Sequence, residues 1–300
     1  MKEYIHGGDI YRHPDVLDYS ANINPLGTPP GVIRAAKDSM ERVCHYPDAC
    51  QEKLKQALAE YEQVPVEWLI CGNGAAELIF ALVQAVKPKR ALVLAPTFAE
   101  YAQALEAVGC EVNREILKKE DGFTLQDRIL DRLQKEDLQM VFLCNPNNPT
   151  GILMDPKLLR KIVTLCEKRQ IYLVVDECFL DFVPEPEAHT LKGELKGKKY
   201  LFLLKAFTKR YAMAGLRLGY GITSGETRIK YPFKLLPQLH ILHRTGNFHT
   251  GAGSRNCGAE GDSLCGEGEN TDLSGTAIPA GGTDENGISG AGLPGKLSVF

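Results

Sequence analysis

The sequence predicts an α/β protein built on a mainly parallel sheet with helices on both faces. Three observations predict it: apolar runs of strand length recur from about residue 50 to 222, stretches with apolar residues at helical spacing separate them, and the runs end in polar or turn residues. In sheets of this kind ligands bind beyond the carboxyl ends of the strands, so the residues that follow each run carry the functional argument.

In chain order, "QEKLKQALAEYEQ" (51–63) repeats apolar residues at i, i+3, i+4 and i+7, as an amphipathic helix does. "LICGNGAAELIF" (69–80) is an apolar run, then a turn at Gly72, Asn73 and Gly74, then a helix from near Ala75. "ALVLAP" (91–96) reads as a strand and "AEYAQALEAVG" (99–109) as a helix. "QMVFLCNP" (139–146) is a strand, "DPKLLRKIVTLCEKRQ" (155–170) a helix, and "IYLVVDE" (171–177) and "KYLFLL" (199–204) are two more strands. Their unbroken apolar character, rich in β-branched and aromatic residues, predicts burial on both faces.

Composition narrows the function classes. With 44% hydrophobic and 24% charged residues the chain is of ordinary soluble make-up, and a net charge of -3 with interspersed signs offers no basic stripe for nucleic acid and no polybasic membrane anchor. The start "MKEYIHGGDIYRH" has no apolar leader, and no later run is long enough to span a bilayer, which predicts a cytoplasmic protein acting on small molecules. Nine cysteines without CxxC spacing read as reduced, mostly buried thiols and not as a metal site or disulfide framework.

Four strand ends stand out. Gly72–Asn73–Gly74 feeding a helix would turn backbone N–H groups toward a phosphate, although a plain strand-to-helix turn looks the same. "CNPNNPTG" (144–151) sets three asparagines between prolines, as a ligand loop or as a tight structural turn. Asp176 closes a buried strand, where a carboxylate calls for a cation or an N-capping role. In "LLKAFTKRYAMAGLRLGYG" (203–221), Lys205, Lys209 and Arg210 compete for a chemical role, with Arg217 further on; a lysine at a strand end can form a Schiff base and an arginine can hold a phosphate, unless both are solvated loop cations.

Taken together, "GNGAAELI", "NPNNPTG", "VVDECFLDF" and "FTKRYAMAGLRLGYG" resemble, in order and approximate spacing, the pyridoxal-phosphate (PLP) aminotransferase-like proteins of fold type I. The resemblance implies the PLP-dependent transferase fold and assigns roles. Lys209 is the Schiff-base lysine, Asp176 pairs with the protonated ring nitrogen, and Asn148 bonds the ring hydroxyl. Arg217, the amides of Ala75 and Ala76, and Thr208 hold the phosphate. Phe98 stacks on the ring. Tyr46 of "HYPD" reaches the neighbouring subunit's phosphate, which implies a homodimer. Ala206 departs from the pattern, standing where a hydroxyl often helps bind phosphate, so that contact is not carried over.

"HGGDIYRH" (6–13) and "LDYSANINPLGTPPGV" (17–32) further resemble the amino-terminal signature of the threonine-phosphate decarboxylases of cobalamin synthesis, with histidinol-phosphate aminotransferases as near relatives. Phe179, where those aminotransferases commonly have tyrosine, favours the decarboxylases. That resemblance places His6, Gly8 and Asn22 against the substrate and covers residues 4 to 226. The same cofactor contacts serve decarboxylation and amino transfer, so reaction type stays open between them.

The organisation expected is an arm (1–30), a large PLP domain (31–226) and an aberrant, disordered segment (227–300) where relatives have a small domain bearing a carboxylate-binding arginine. Thirteen of the 29 glycines fall in residues 251–300, which have neither helical nor strand period. Codons can be chosen for "AGSRNCGAE" (252–260) that read QAAGIAAL one base on, and for "GGTDENG" (281–287) that read EELTKMG in the same shifted frame. Both shifted strings are helix-like. A frameshift is the reading adopted, and with it a chain whose cofactor binding and catalysis are impaired, the alternative from a different class being a non-catalytic truncated remnant.

Overall fold

A computed structural model describes residues 7–227; His6 and the whole of the expected aberrant segment after residue 227 lie outside the described residues. In chain order the elements are α1 (Pro30–Ser39), α2 (Glu52–Glu62), β1 (Leu69–Gly72), α3 (Gly74–Val86), β2 (Arg90–Ala95), α4 (Ala99–Ala107), β3 (Glu111–Ile116) and α5 (Arg128–Lys135). They continue with β4 (Met140–Cys144), α6 (Pro156–Arg169), β5 (Tyr172–Asp176), α7 (Pro186–His189), β6 (Leu201–Ala206), α8 (Phe207–Arg210) and β7 (Gly219–Thr223).

The strands form one sheet in the order β1-β7-β6-β5-β4-β2-β3. The pairs β2·β3, β2·β4, β4·β5 and β5·β6 are parallel, and β7 runs antiparallel to both β6 and β1. The mainly parallel α/β reading is therefore right, with one reversed strand inside the sheet. The carboxyl ends of β2, β4, β5 and β6 consequently open on one edge, with Pro96, Asn145, Glu177 and Phe207 the first residues beyond them.

Strand alternation sorts the core into two layers. Val141, Leu143, Leu173 and Val175 pack into one, while Met140, Phe142, Cys144 and Val174 pack into the other. That is the period-two consequence of a strand covered by helices on both faces, and it explains why β4 and β5 read as unbroken apolar runs. Removing a side chain such as Phe142 to alanine would cost about 3–5 kcal/mol.

Local chemistry fixes the helix starts. Asp155 accepts a hydrogen bond from the Lys157 N–H at 3.0 Å and Pro156 occupies the first helical position, so α6 begins where a side-chain cap and a preset φ coincide. The edge strand β3 is mostly exposed and carries charge. Its Glu115 pairs with Arg128 at 2.6 Å and Arg132 at 2.9 Å from α5, which ties the edge down and keeps it unsuitable for pairing with another chain.

Candidate active site

The turn of β1 into α3 is built on close backbone approach. Gly74 has φ +84°, and a Cβ there would stand 2.8 Å from Nη2 of Arg217. A Cβ on Gly219 would stand 2.6 Å from the Ala75 nitrogen. Arg217, itself at φ 53° and with an exposed backbone turn, thus lays its guanidinium over the first turn of α3. There the N–H groups of Ala75 and Ala76 belong to the helix start, where no intrahelical acceptor exists. Glu77 Oε2 accepts from the Asn73 N–H at 2.6 Å and fixes the turn.

Asp176 is buried at the end of β5. The cation expected from the sequence is not its direct partner. Tyr101 Oη donates to Oδ2 at 2.6 Å and the Cys178 N–H to Oδ1 at 2.9 Å, so neutral donors satisfy the carboxylate first. Burial pushes its carboxyl above the usual range, with these donors and the charge of Lys209 pulling the other way. Sequence reasoning missed Tyr101, whose only signal was an aromatic residue on the buried face of α4, three residues beyond Phe98.

Lys209 lies in α8, just beyond β6, half-buried. Its Nζ donates to the Ala21 carbonyl at 2.6 Å and sits 5.4 Å from the Phe179 ring centroid. Burial lowers its pKa, and the positive charge of Arg217 adds to the lowering against the pull of Cys178, Asp176 and Glu100. The amino-terminal arm is held on this same loop: Asn24 N–H donates to the Lys209 carbonyl at 3.1 Å, Asn24 Nδ2 to the Arg210 carbonyl at 2.8 Å, and Thr28 Oγ1 to the Ala212 carbonyl at 2.7 Å.

The other two candidates in that stretch are structural. Lys205 is paired with Glu177 at 3.5 Å and Glu62 at 3.7 Å, and Arg210 with Asp181 at 3.3 Å. The asparagine loop divides similarly. Asn145 Oδ1 accepts from the Met154 N–H at 2.9 Å, and Asn147 bridges Thr97, Pro96 and Thr150. Asn148 is left half-buried at the strand end.

Phe98 meets Tyr101 edge-on at 5.5 Å, and Thr208 is half-buried in α8. In the arm, Gly8 has φ +85° and donates its N–H to Ser20 Oγ at 2.8 Å, while Asn22 is exposed with φ 51°. Tyr46 is 91% exposed.

This donor set fits pyridoxal phosphate. A buried carboxylate and an amine of lowered pKa influence each other electrostatically, and an arginine covers a helix start where glycine leaves no Cβ. The amine can act as nucleophile or proton carrier, the carboxylate can hold a cationic ring nitrogen, and the arginine with the helix N–H groups can take a phosphate.

A family model described as aminotransferase class I and II matches residues 14–259. It runs past residue 226, where the sequence resemblance was read to end, and so takes in the first part of the segment assigned to the aberrant tail. The threonine-phosphate decarboxylase of Salmonella typhimurium is 44% identical over 229 residues, which are 74% of this chain and 62% of that protein. The histidinol-phosphate aminotransferase of Desulfitobacterium hafniense is 34% identical over 233 residues, covering 74% and 63%. Among solved structures, the histidinol-phosphate aminotransferase from Clostridium acetobutylicum superposes with a TM-score of 0.65 at 30% identity, over 73% of this chain and 63% of that one. The L-threonine-O-3-phosphate decarboxylase from Porphyromonas gingivalis does so at 0.58 and 22%, over 74% and 68%, a likeness of fold. The chain spans about three fifths of the length of the curated relatives it matches.

Proposed function

The chain belongs to the aminotransferase class I and II family, which is pyridoxal-phosphate dependent, and from that premise we propose that it is a decarboxylase of L-threonine O-3-phosphate, yielding aminopropanol phosphate for cobalamin synthesis. The observation that carries this reading is the 44% identity to a threonine-phosphate decarboxylase. The arm motif "HGGDIYRH" and Phe179 point the same way.

When bound, pyridoxal phosphate supplies an electron sink for negative charge left at the substrate's alpha carbon. Lys209 anchors the cofactor and carries a proton to that carbon once carbon dioxide has left. Its lowered pKa keeps more of the amine neutral than an ordinary lysine would be, as nucleophilic attack requires. Asp176 holds the ring nitrogen in its protonated form. Arg217, Ala75, Ala76 and Thr208 take the cofactor phosphate, Asn148 its ring hydroxyl, and Phe98 a ring face. His6, Gly8 and Asn22 lie on the substrate side. Tyr46, projecting into solvent from its own protomer, serves the partner in a homodimer.

Residues 227–300 stand, in this reading, where a small domain and its carboxylate-binding arginine belong, displaced by a frameshift that impairs this chain; the nucleotide sequence tests that directly. The protein is taken to be cytoplasmic, and no helix among the described residues is long and apolar enough to cross a membrane.

A second reading, amino transfer of the histidinol-phosphate type, rests on the 34% identity to a histidinol-phosphate aminotransferase. The deciding experiment supplies threonine phosphate, with and without 2-oxoglutarate, to this chain and to a frame-restored version. Release of carbon dioxide and aminopropanol phosphate without the oxo acid supports decarboxylation. Consumption of 2-oxoglutarate, with no carbon dioxide, sinks it.

A further inference from the structure

Tyr101 is fully buried, and aromatic packing leaves its ring one place to be. It stacks on Phe142 at 5.0 Å and 11°, and meets Phe98 edge-on at 5.5 Å and 77°. The hydroxyl at the far end of that ring donates to Asp176 Oδ2 at 2.6 Å, a length typical of charge-assisted O–H bonds. Burial and the neighbouring carboxylate both push the phenol well above its ordinary pKa, so it stays a donor.

We propose that Tyr101 is a positioning residue of the cofactor site, holding Asp176 in one rotamer and as an anion through its hydroxyl. The inference rests on Asp176 being the partner of the ring nitrogen. A carboxylate this deeply buried favours its neutral form unless donors stabilise the charge. A neutral Asp176 could not keep a ring nitrogen protonated. The groups that face it are the Tyr101 hydroxyl from α4, the Cys144 thiol from β4, the Cys178 N–H and thiol beyond β5, and the Lys209 ammonium from α8. Tyr101 brings a hydroxyl to Oδ2 at 2.6 Å from a separate element, α4, while Cys178, two residues along the same chain segment, brings its N–H to Oδ1 at 2.9 Å and its thiol.

Tyr101→Phe removes one hydroxyl and keeps the stacked ring. The carboxyl carbon of Asp176, ¹³C-labelled and assigned with Asp176→Asn, is titrated by NMR in the cofactor-free chain. Loss of a hydrogen bond to a charged group should raise its titration midpoint by roughly one to two pH units. An unmoved midpoint overturns the proposal. In the unsubstituted chain the ¹³Cζ resonance of Tyr101 should break at the pH where Asp176 titrates, which needs no variant to fold; its absence also overturns the proposal.

Absorbance titration with pyridoxal phosphate adds a second readout. Tyr101→Phe should weaken binding about tenfold in the native background and not at all in Asp176→Asn, whereas equal effects in both would mean a purely structural role. If the unsubstituted, frame-restored chain takes up no pyridoxal phosphate, the cofactor reading fails, and the carboxyl titration still decides whether Tyr101 governs Asp176.

Discussion

Lys205 Nζ lies 3.5 Å from Glu177 Oε2, deep in the protein, while Lys209, four residues further along the chain, donates its Nζ to a backbone carbonyl of the arm. Lys205 also faces Glu62 at 3.7 Å, and Glu62 accepts from Lys192 at 3.1 Å and from the Tyr220 hydroxyl at 2.5 Å. The network joins α2 to β5, β6 and β7. Burial pulls the Lys205 ammonium down, but the two carboxylates outweigh it and hold it charged.

Lys205→Ala should therefore be a stability variant. It leaves Glu177 buried without its ammonium, a change that typically costs about 3–5 kcal/mol. Urea denaturation should show that loss, and Lys205→Met, which fills the space, should lose no less if the charge is what matters. Reductive trapping of pyridoxal phosphate followed by peptide mass spectrometry should label Lys209 and leave Lys205 clean.

Gly219→Ala tests how tightly β7 passes α3. The added Cβ would meet Ala75 N and the Gly74 carbonyl carbon, both at 2.6 Å, and backbone atoms cannot swing aside. Overpacking of this kind costs about 1–3 kcal/mol. Thermal melts should record it, and phosphate-dependent cofactor affinity should fall alongside, because the helix start that Arg217 covers must shift.

Legibility in the sequence followed burial. β2, β4, β5 and β6 were readable because helices cover both faces, so their central positions are apolar. β3, "EVNREI", was not, since it is an exposed edge strand whose charges resemble a loop. β7, "GYGIT", hid within a motif read for chemistry, although its five residues are all buried. Lys209, Asp176 and Arg217 were named through the family resemblance, which already preferred Lys209; residues read singly left Lys205 and Lys209 open. What separates them is Glu62, on a helix far away in the chain, and a contact of that kind is made only by the fold. Tyr101 escaped for the same reason: its ring looked like core, and its hydroxyl acquires meaning only against β5.

The arm and the residues after it expose apolar side chains: Tyr11 is 90% exposed, Leu17 83%, Tyr19 85%, Leu26 90% and Tyr46 91%. Apolar surface gathered in one stretch marks an association site. Light scattering should give twice the chain mass for the frame-restored protein, and Leu26→Asp should shift it toward monomer. A monomer with native exposure of these residues would remove Tyr46 from any role at a partner's phosphate.

Lys209 should titrate below an ordinary lysine. Burial disfavours its ammonium and Arg217 repels it, so the neutral amine appears at a lower pH than the ordinary value of 10.5. Competitive acetylation across a pH series, read by mass spectrometry, should place its reactivity midpoint below the ordinary 10.5. Arg217→Gln should move the midpoint back up. The sign carries into stability. Between the lowered value and 10.5 the unfolded chain binds more protons at this position than the folded one, so this group's contribution to stability rises with pH across that window. A midpoint at or above 10.5, unmoved by Arg217→Gln, would remove the electrostatic reason for Lys209 to act as the nucleophile.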